Sequence, residues 1–141
     1  MRVDKKNIKV SNVDRLKKAL EGETKVELWA AGICDDGAKA LAMNLEYNST
    51  ITTINLGGNN ISDKGVKMLA TSLKSNSTLT NIDLVYNSIS DDGANALSAS
   101  FKYNSTLNDI NLGRNNISNE CRKVFDATLV AQKERKSKCA K

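Results

Sequence analysis

The sequence NSTITTINLGGNNISDKGVKMLATSLKS, residues 48–75, recurs twice further along the chain. Residues 76–103 read NSTLTNIDLVYNSISDDGANALSASFKY, and residues 104–131 read NSTLNDINLGRNNISNECRKVFDATLVA. The first two copies are identical at 14 of 28 positions. Self-similarity at a fixed spacing of about 20–50 residues is typical of proteins built from stacked structural repeats. The sequence therefore predicts an array of 28-residue units.

Two apolar spacings meet inside each copy. In the first copy, Ile54 and Leu56 lie two residues apart, which places both on one face of a short strand. After Ser62 the spacing changes, and Val66 and Leu69 begin the apolar stripe of a helix. Strands that each lead into a helix, repeated along a chain, stack as a parallel sheet lined by helices. The pattern therefore predicts an α/β protein.

The spacing L-x-x-L-x-L-x-x-N-x-L, with asparagine at Asn59, Asn87 and Asn115, resembles the signature of leucine-rich repeats. The 28-residue length and the glycines Gly65 and Gly93 resemble the ribonuclease-inhibitor-like subclass. That subclass also forms the sensing arm of nucleotide-binding oligomerisation-domain receptors and the end-capping domain of tropomodulins. The resemblance implies a short right-handed solenoid, an arc with about four parallel strands on its concave face and about five helices on its convex face.

We divide the chain into three segments. Residues 1–22 are expected to form an N-terminal lead and a capping helix, and residues 23–131 the repeats. Residues 132–141 form a basic tail that we expect to be disordered, because it is rich in charge and poor in apolar residues. The connection from Leu20 to Leu28 is three residues shorter than the one from Leu73 to Leu84, as expected where a terminal unit is atypical.

Three further features recur with the repeat. Ser62, Ser90 and Ser118 precede the predicted helices and are expected to be their N-caps. A glycine three residues after Ser62 and Ser90 is expected to allow adjacent backbones to approach closely. The asparagines that open each copy form N-glycosylation sequons, which we interpret as structural loops leaving each helix.

The composition disfavours catalysis. The chain contains no histidine, the commonest general base and transition-metal ligand. The adjacent carboxylates at residues 35–36 and 91–92 would not face each other on a helix. We therefore predict that the protein is not an enzyme and has no cofactor, no metal site and no catalytic residues. Three scattered cysteines and the absence of an apolar leader indicate an intracellular, cytoplasmic location, and leave delivery into a host cell open.

Charge is distributed unevenly along the chain. Residues 1–18 and residues 122–141 each carry a net charge of +5, whereas the residues between them carry −5. A nucleic-acid groove would need positive charge along the binding surface, so this distribution argues against a nucleic-acid partner. No segment has the apolar length of a membrane span. We expect a monomer whose partner is another protein.

The outward face of the sheet is the predicted binding surface, because strand residues of equal phase stack about 4.8 Å apart and these residues are not needed in the core. Trp29, Tyr86 and Arg114 are of the types that dominate binding hot spots. Trp29 could instead fold over Gly57 and shield the sheet edge. The candidate partner-binding residues are Lys25, Glu27, Trp29, Asn55, Asp83, Tyr86, Asp109, Asn111 and Arg114.

The sequence thus predicts a protein–protein interaction module that binds its partner on the concave face. Two alternatives stay open. The first is a tropomodulin-like regulator of actin ends, with a basic C-terminal helix approaching acidic actin. The second is a scaffold or regulatory arm of a larger assembly.

Overall fold

A computed structural model describes residues 13–139, without the side chains of residues 13, 15 and 139. The expected lead at residues 1–12 lies outside this range. Within it, five helices alternate with four strands: α1 (Val13–Leu20), β1 (Lys25–Glu27), α2 (Cys34–Leu45), β2 (Thr53–Asn55), α3 (Asp63–Leu73), β3 (Asn81–Asp83), α4 (Asp91–Ser100), β4 (Asp109–Asn111) and α5 (Asn119–Cys139).

The four strands form one parallel sheet in the order β1-β2-β3-β4. Successive strands are paired 28 residues apart, so that Val26, Ile54, Ile82 and Ile110 stand in one column. All four are buried, at 5% exposure or less. The residues on either side of this column face away from the core. The predicted α/β solenoid is therefore confirmed.

The helices cover the other side of this column with their own repeated apolar residues. Leu41, Leu69, Leu97 and Phe125 occupy equivalent positions on α2 to α5 and are all buried. Phe101, the residue that follows α4, packs on Phe125 of the last repeat with ring centroids 5.5 Å apart. The core is consequently continuous from one end of the array to the other.

Buried asparagines tie each turn to the turn before it. The side-chain NH₂ of Asn59 donates to three backbone carbonyls at 2.8–3.0 Å, one of which, Leu28 O, belongs to the preceding repeat. Its Oδ1 accepts the Ala31 N–H at 2.9 Å. Asn87 and Asn115 repeat this arrangement. The asparagines of the repeat signature therefore form a ladder of hydrogen bonds along the turns.

A second ladder runs along the loops that leave the helices. The NH₂ of Asn76 donates to Leu45 O at 2.7 Å, while its Oδ1 accepts two N–H groups of its own loop at 2.8 and 3.0 Å. Asn104 makes the equivalent bonds one repeat later. Both side chains are buried, at 4% and 3% exposure, which supports the structural interpretation of these sequons. Gln132, 28 residues after Asn104, donates to Asn104 O at 2.7 Å and forms the last rung.

The expectation that residues 132–141 are disordered is wrong for residues 132–139, which continue α5 as far as Cys139. Arg135 donates to Phe101 O, just after α4, at 3.4 Å. Lys136 donates to Leu107 O, just before β4, at 2.7 Å. Burial and the neighbouring Lys133 lower the pKa of Lys136. Long basic side chains can lay their stems on apolar surface, so a charged sequence here closes the end of the array.

Carboxylates at the helix starts form a third repeated contact. Asp35 Oδ1 accepts the N–H groups of Ser62 at 2.8 Å and Gly65 at 3.1 Å, and its Oδ2 accepts the Ser62 hydroxyl at 2.6 Å. Asp63 and Asp91 accept the N–H and hydroxyl of the corresponding serines in the next repeats. Each helix start is thereby bonded to the next one.

This contact corrects two expectations about the helix starts. A Cβ on Gly65 would lie 2.5 Å from Asp35 Oδ1, so the recurring glycine makes room for a carboxylate rather than for backbone. Ser62 and Ser118 do cap α3 and α5, accepting the Lys64 and Cys121 N–H groups at 3.3 and 3.2 Å, but the Ser90 side chain makes no capping bond to α4. All three serines also donate to the aspartate of the preceding repeat.

Replacing Asn87 by alanine should lower the free energy of unfolding by about 3 kcal/mol or more. Two buried N–H groups, those of Asn59 and Ile61, would lose their acceptor, and each unsatisfied buried group costs about 1–3 kcal/mol. Urea unfolding followed by circular dichroism measures the change. Asn95→Ala, at an exposed position of α4, is the control and should shift stability by no more than about 0.5 kcal/mol. Equal effects of the two variants would contradict the role of the ladder.

Stability should also fall in acid. Burial raises the pKa of Asp35, but the bonds from Ser62 and Gly65 outweigh it and hold the pKa below its ordinary 3.8. Bonds from Ser118 likewise lower the pKa of Asp91. Because the unfolded chain takes up protons first, this stabilisation is full above the unfolded pKa and is lost as the pH falls through the folded pKa.

Urea unfolding at a series of pH values down to about 2 tests this expectation. Asp35→Asn should make the stability less dependent on pH in the acid range than it is in the original protein. Asp36→Asn, at the adjacent exposed position, should not. Parallel curves for Asp35→Asn and the original protein would contradict the assignment.

Candidate protein-interaction surface

The face of the sheet turned away from the helices, called here the open face, carries two columns of polar side chains. Lys25, Thr53, Asn81 and Asp109 are paired across the strands, and so are Glu27, Asn55, Asp83 and Asn111. The strands at the two ends expose these side chains, whereas β2 and β3 leave them half-buried. The structure thus brings the predicted strand residues onto one surface.

Three residues of the second column also fix the turns that follow the strands. Oδ1 atoms of Asn55, Asp83 and Asn111 accept the N–H group two residues ahead at 3.0, 2.9 and 3.0 Å. Asn55 also donates to Glu27 at 3.0 Å. The sequence pattern predicts only a binding role for these positions. The sequence did carry a signal of their structural role, because asparagine and aspartate just before a turn commonly bond the backbone two residues ahead.

Trp29 and Tyr86 form an aromatic pair at one edge of the open face. Their ring centroids are 6.1 Å apart and the ring planes are perpendicular, an edge-to-face arrangement favoured by aromatic quadrupoles. The indole lies directly over Gly57, where a Cβ would overlap the ring. Trp29 therefore folds over Gly57, as considered from the sequence, and remains 40% exposed, while Tyr86 is 56% exposed.

Tyr86 and the equivalent turn residues of the other repeats have left-handed backbone conformations. Ala30, Gly58, Tyr86 and Arg114 stand 28 residues apart with φ of 50°, 67°, 56° and 55°. Glycine adopts this region freely, whereas other residues pay about 1–2 kcal/mol. Tyrosine and arginine thus occupy strained positions of the turn. Strain of this kind clusters at functional sites, because there the side chain can be kept at a cost in stability.

Two features of residues 13–139 bear on metal binding and catalysis. No group of three or more His, Cys, Asp and Glu side chains there could hold a metal ion. Burial and the Asp91 carboxylate raise the pKa of the Cys121 thiol, which disfavours its reactive thiolate form. Within the same residues, no helix has the length and apolar character needed to cross a membrane.

The 28-residue register, the asparagine ladders and the open face define a solenoid of stacked strand–helix repeats. A model described as "Leucine Rich repeat" matches residues 47–70, 75–98 and 103–121. The chain belongs to the leucine-rich repeat proteins, and its 28-residue units are of the ribonuclease-inhibitor-like kind. No curated protein sequence matches the chain.

The solved structures that are similar to this chain include the following two. "Leiomodin-1 Actin-Binding Site 2 (ABS2)" superposes with a TM-score of 0.72 at 22% identity, covering 82% of this chain and 69% of that one. The tropomodulin C-terminal domain from Caenorhabditis elegans superposes with a TM-score of 0.74 at 16% identity, covering 96% and 83%. At these identities the likeness shows a shared fold.

Gly57→Ala should displace the indole of Trp29, because the new methyl group would occupy the position of the ring. The chain has a single tryptophan, so its fluorescence reports on this residue alone. We expect emission to shift to longer wavelength as the ring enters water. Gly113→Ala, in the same column, is the control, since its Cβ would press on Asn111 and Val85 at 3.2 and 3.3 Å and not on Trp29. An unchanged spectrum in Gly57→Ala would contradict the stacking.

Proposed function

We propose that the protein is a non-catalytic interaction module that binds a partner protein on its concave face. The observation that carries the proposal is the exposed Trp29–Tyr86 pair on the open face. Tryptophan and tyrosine supply large contact areas, and they contribute strongly to the energies of protein interfaces. Tyr86 is also kept in a left-handed conformation that glycine would adopt at lower cost.

The polar residues around the pair suit a partner with basic and amide groups. Glu27, Asp83 and Asp109 add negative charge to the columns beside the aromatic pair, and Asn55 and Asn111 add amides. Lys25 lies at the end of the sheet, and Arg114 lies in the turn after β4. A partner segment that places a cation near Glu27 and Asp83 and apolar groups against the two aromatic rings would complement this surface.

Affinity capture from cell lysate with mass spectrometry tests the proposal. Partners retained by the original protein should be lost from the double variant Trp29→Ala/Tyr86→Ala. Tyr103→Ala is the control, because Tyr103 is 62% exposed in a loop that follows α4 and packs near Lys74 instead. Circular dichroism must show that all variants fold. A double variant that is folded and retains the same partners would exclude the aromatic pair as the binding site.

A second candidate is a tropomodulin-like role at actin ends. It is supported by the fold shared with a leiomodin-1 domain named as an actin-binding site and by a tropomodulin domain. In this reading α5 makes the contact, because Lys123, Lys133 and Lys138 are exposed along it. Attraction between exposed charges weakens as salt rises.

Co-sedimentation with filamentous actin at low and high salt separates the two candidates. Actin binding by α5 predicts salt-sensitive sedimentation that is lost in Lys133→Glu/Lys138→Glu and kept in Trp29→Ala/Tyr86→Ala. Absence of the protein from the actin pellet at low salt would exclude the second candidate.

A further inference from the structure

A cavity of about 200 Å³ lies at the C-terminal end of the array, between the loop that follows α4 and the second half of α5. The helix α5 has 21 residues, whereas α2, α3 and α4 have 12, 11 and 10. After Gln132 it therefore continues as a helix, at the point where the earlier repeats turn into a loop. The cavity lies between this helical extension and the loop of residues 101–105. We call this space the α4–α5 cavity.

Three basic side chains line the α4–α5 cavity: Lys102 from the loop, and Arg135 and Lys136 from α5. No aspartate or glutamate is among the described residues that line it. Arg135 and Lys136 donate to backbone carbonyls, which have no formal charge, at 3.4 and 2.7 Å. The cavity therefore carries a surplus of positive charge. The pKa of Lys136, which is lowered by burial and by the neighbouring Lys133, agrees with this surplus.

The cations of the cavity keep hydrogen-bond donors that the described part of the chain does not use. A guanidinium has five N–H groups and an ammonium has three. Arg135 makes one bond, at 3.4 Å, and Lys136 makes two, at 2.7 and 3.3 Å. Lys102 is exposed. Gln132 also lines the cavity, but its Oε1 atom is buried and so does not oppose an anion there.

Two neighbours of these cations also suit an anion. Tyr103 and Ser105 line the cavity, and each carries a hydroxyl that can donate. Lys74 Nζ, from the preceding repeat, lies 5.5 Å from the centre of the Tyr103 ring, which brings a fourth cation to the same loop. A cleft lined by charges of one sign raises the local concentration of ions of the opposite sign.

We propose that the α4–α5 cavity binds the phosphate group of a phosphate monoester. Arg135 can donate to two phosphate oxygens at once, as guanidinium groups do, while Lys102 and Lys136 supply further positive charge. A phosphate monoester carries a charge of about −1.5 to −2 at pH 7, which offsets most of the charge of three cations. Pockets for drug-sized ligands measure about 300–1,000 Å³, so this smaller cavity suits a phosphate and the first atoms of its carrier. The site shares no residue with the open face.

Glycerol 3-phosphate titrated into the ¹⁵N-labelled full chain tests the proposal by nuclear magnetic resonance. The amide signal of Ser105 should shift until the site is saturated, whereas that of Gly57 on the open face should not move. Glycerol, which lacks the phosphate, should cause no shift. Lys102→Gln and Arg135→Gln should each weaken binding about tenfold, as expected when a contact worth about 1.4 kcal/mol is lost.

Lys123→Gln is the matched control, because it removes one positive charge from an exposed position of α5 outside the cavity. Its affinity should equal that of the original protein. A loss as large as that in Arg135→Gln would show that overall charge attracts the ligand, and would overturn the proposal. Circular dichroism checks the fold of each variant. Lys102→Gln alters an exposed loop residue, so it decides the outcome even where Arg135→Gln destabilises α5.

Sedimentation with vesicles identifies the carrier of the phosphate. Phosphatidic acid presents a phosphate monoester at a membrane surface, whereas phosphatidylserine is negatively charged without one. Binding of glycerol 3-phosphate would assign a soluble carrier. Binding only to phosphatidylcholine vesicles that contain phosphatidic acid, lost in Arg135→Gln, would assign a lipid headgroup, and both results support the site. Failure of both probes, or equal binding to phosphatidylserine vesicles without a response to glycerol 3-phosphate, would overturn the proposal.

Discussion

The structure depends on hydrogen bonds between equivalent positions of neighbouring repeats. Asn59 and Asn87 each use their amide to join two turns, and Asn76 and Asn104 do the same for the loops that leave the helices. An asparagine side chain has one acceptor oxygen and two donor hydrogens, so it can bond its own turn and a neighbouring one together. A single repeat lacks the second partner. These bonds therefore require a stack, in which each unit is completed by the one beside it.

A ladder of this kind must end, and its two ends are closed differently. At the C-terminal end, Gln132 replaces the asparagine of a further repeat, and Arg135 and Lys136 bond carbonyls of the last unit. At the N-terminal end, α1 covers the core through Leu16 and Leu20, while the buried Thr50 hydroxyl has no hydrogen-bond partner among the described residues. Hydrophobic closure thus occurs at both ends, and each end also leaves a buried oxygen without a partner among the described residues, Thr50 Oγ1 at one end and Gln132 Oε1 at the other.

Much of the architecture could be predicted because it follows from spacing alone. The interval of 28 residues fixes which residues pair across strands, and the alternation at Ile54 and Leu56 fixes which face is buried. The order of α5 beyond residue 131 could not be predicted from composition, since Gln132 and Lys136 sit in a charged segment. A signal was nevertheless present, because Gln132 lies one repeat length after Asn104. Composition could not predict that these residues are ordered, because their order depends on each polar group bonding a particular carbonyl.

The candidate site shows what the repeat pattern cannot predict. Register places Trp29 beside Gly57, but it does not predict the contact with Tyr86, which depends on how far the indole reaches across the sheet. The core and the ladders specify the inward positions, so the open face, the turns and the exposed sides of the helices, such as Lys67, Asn95 and Lys123, are free to differ between repeats. At the left-handed turn position one repeat carries glycine, while others carry Tyr86 and Arg114. Folding alone favours glycine there, yet Ala30, Tyr86 and Arg114 each hold this position, so the turn tolerates side chains of very different size at a cost in backbone strain.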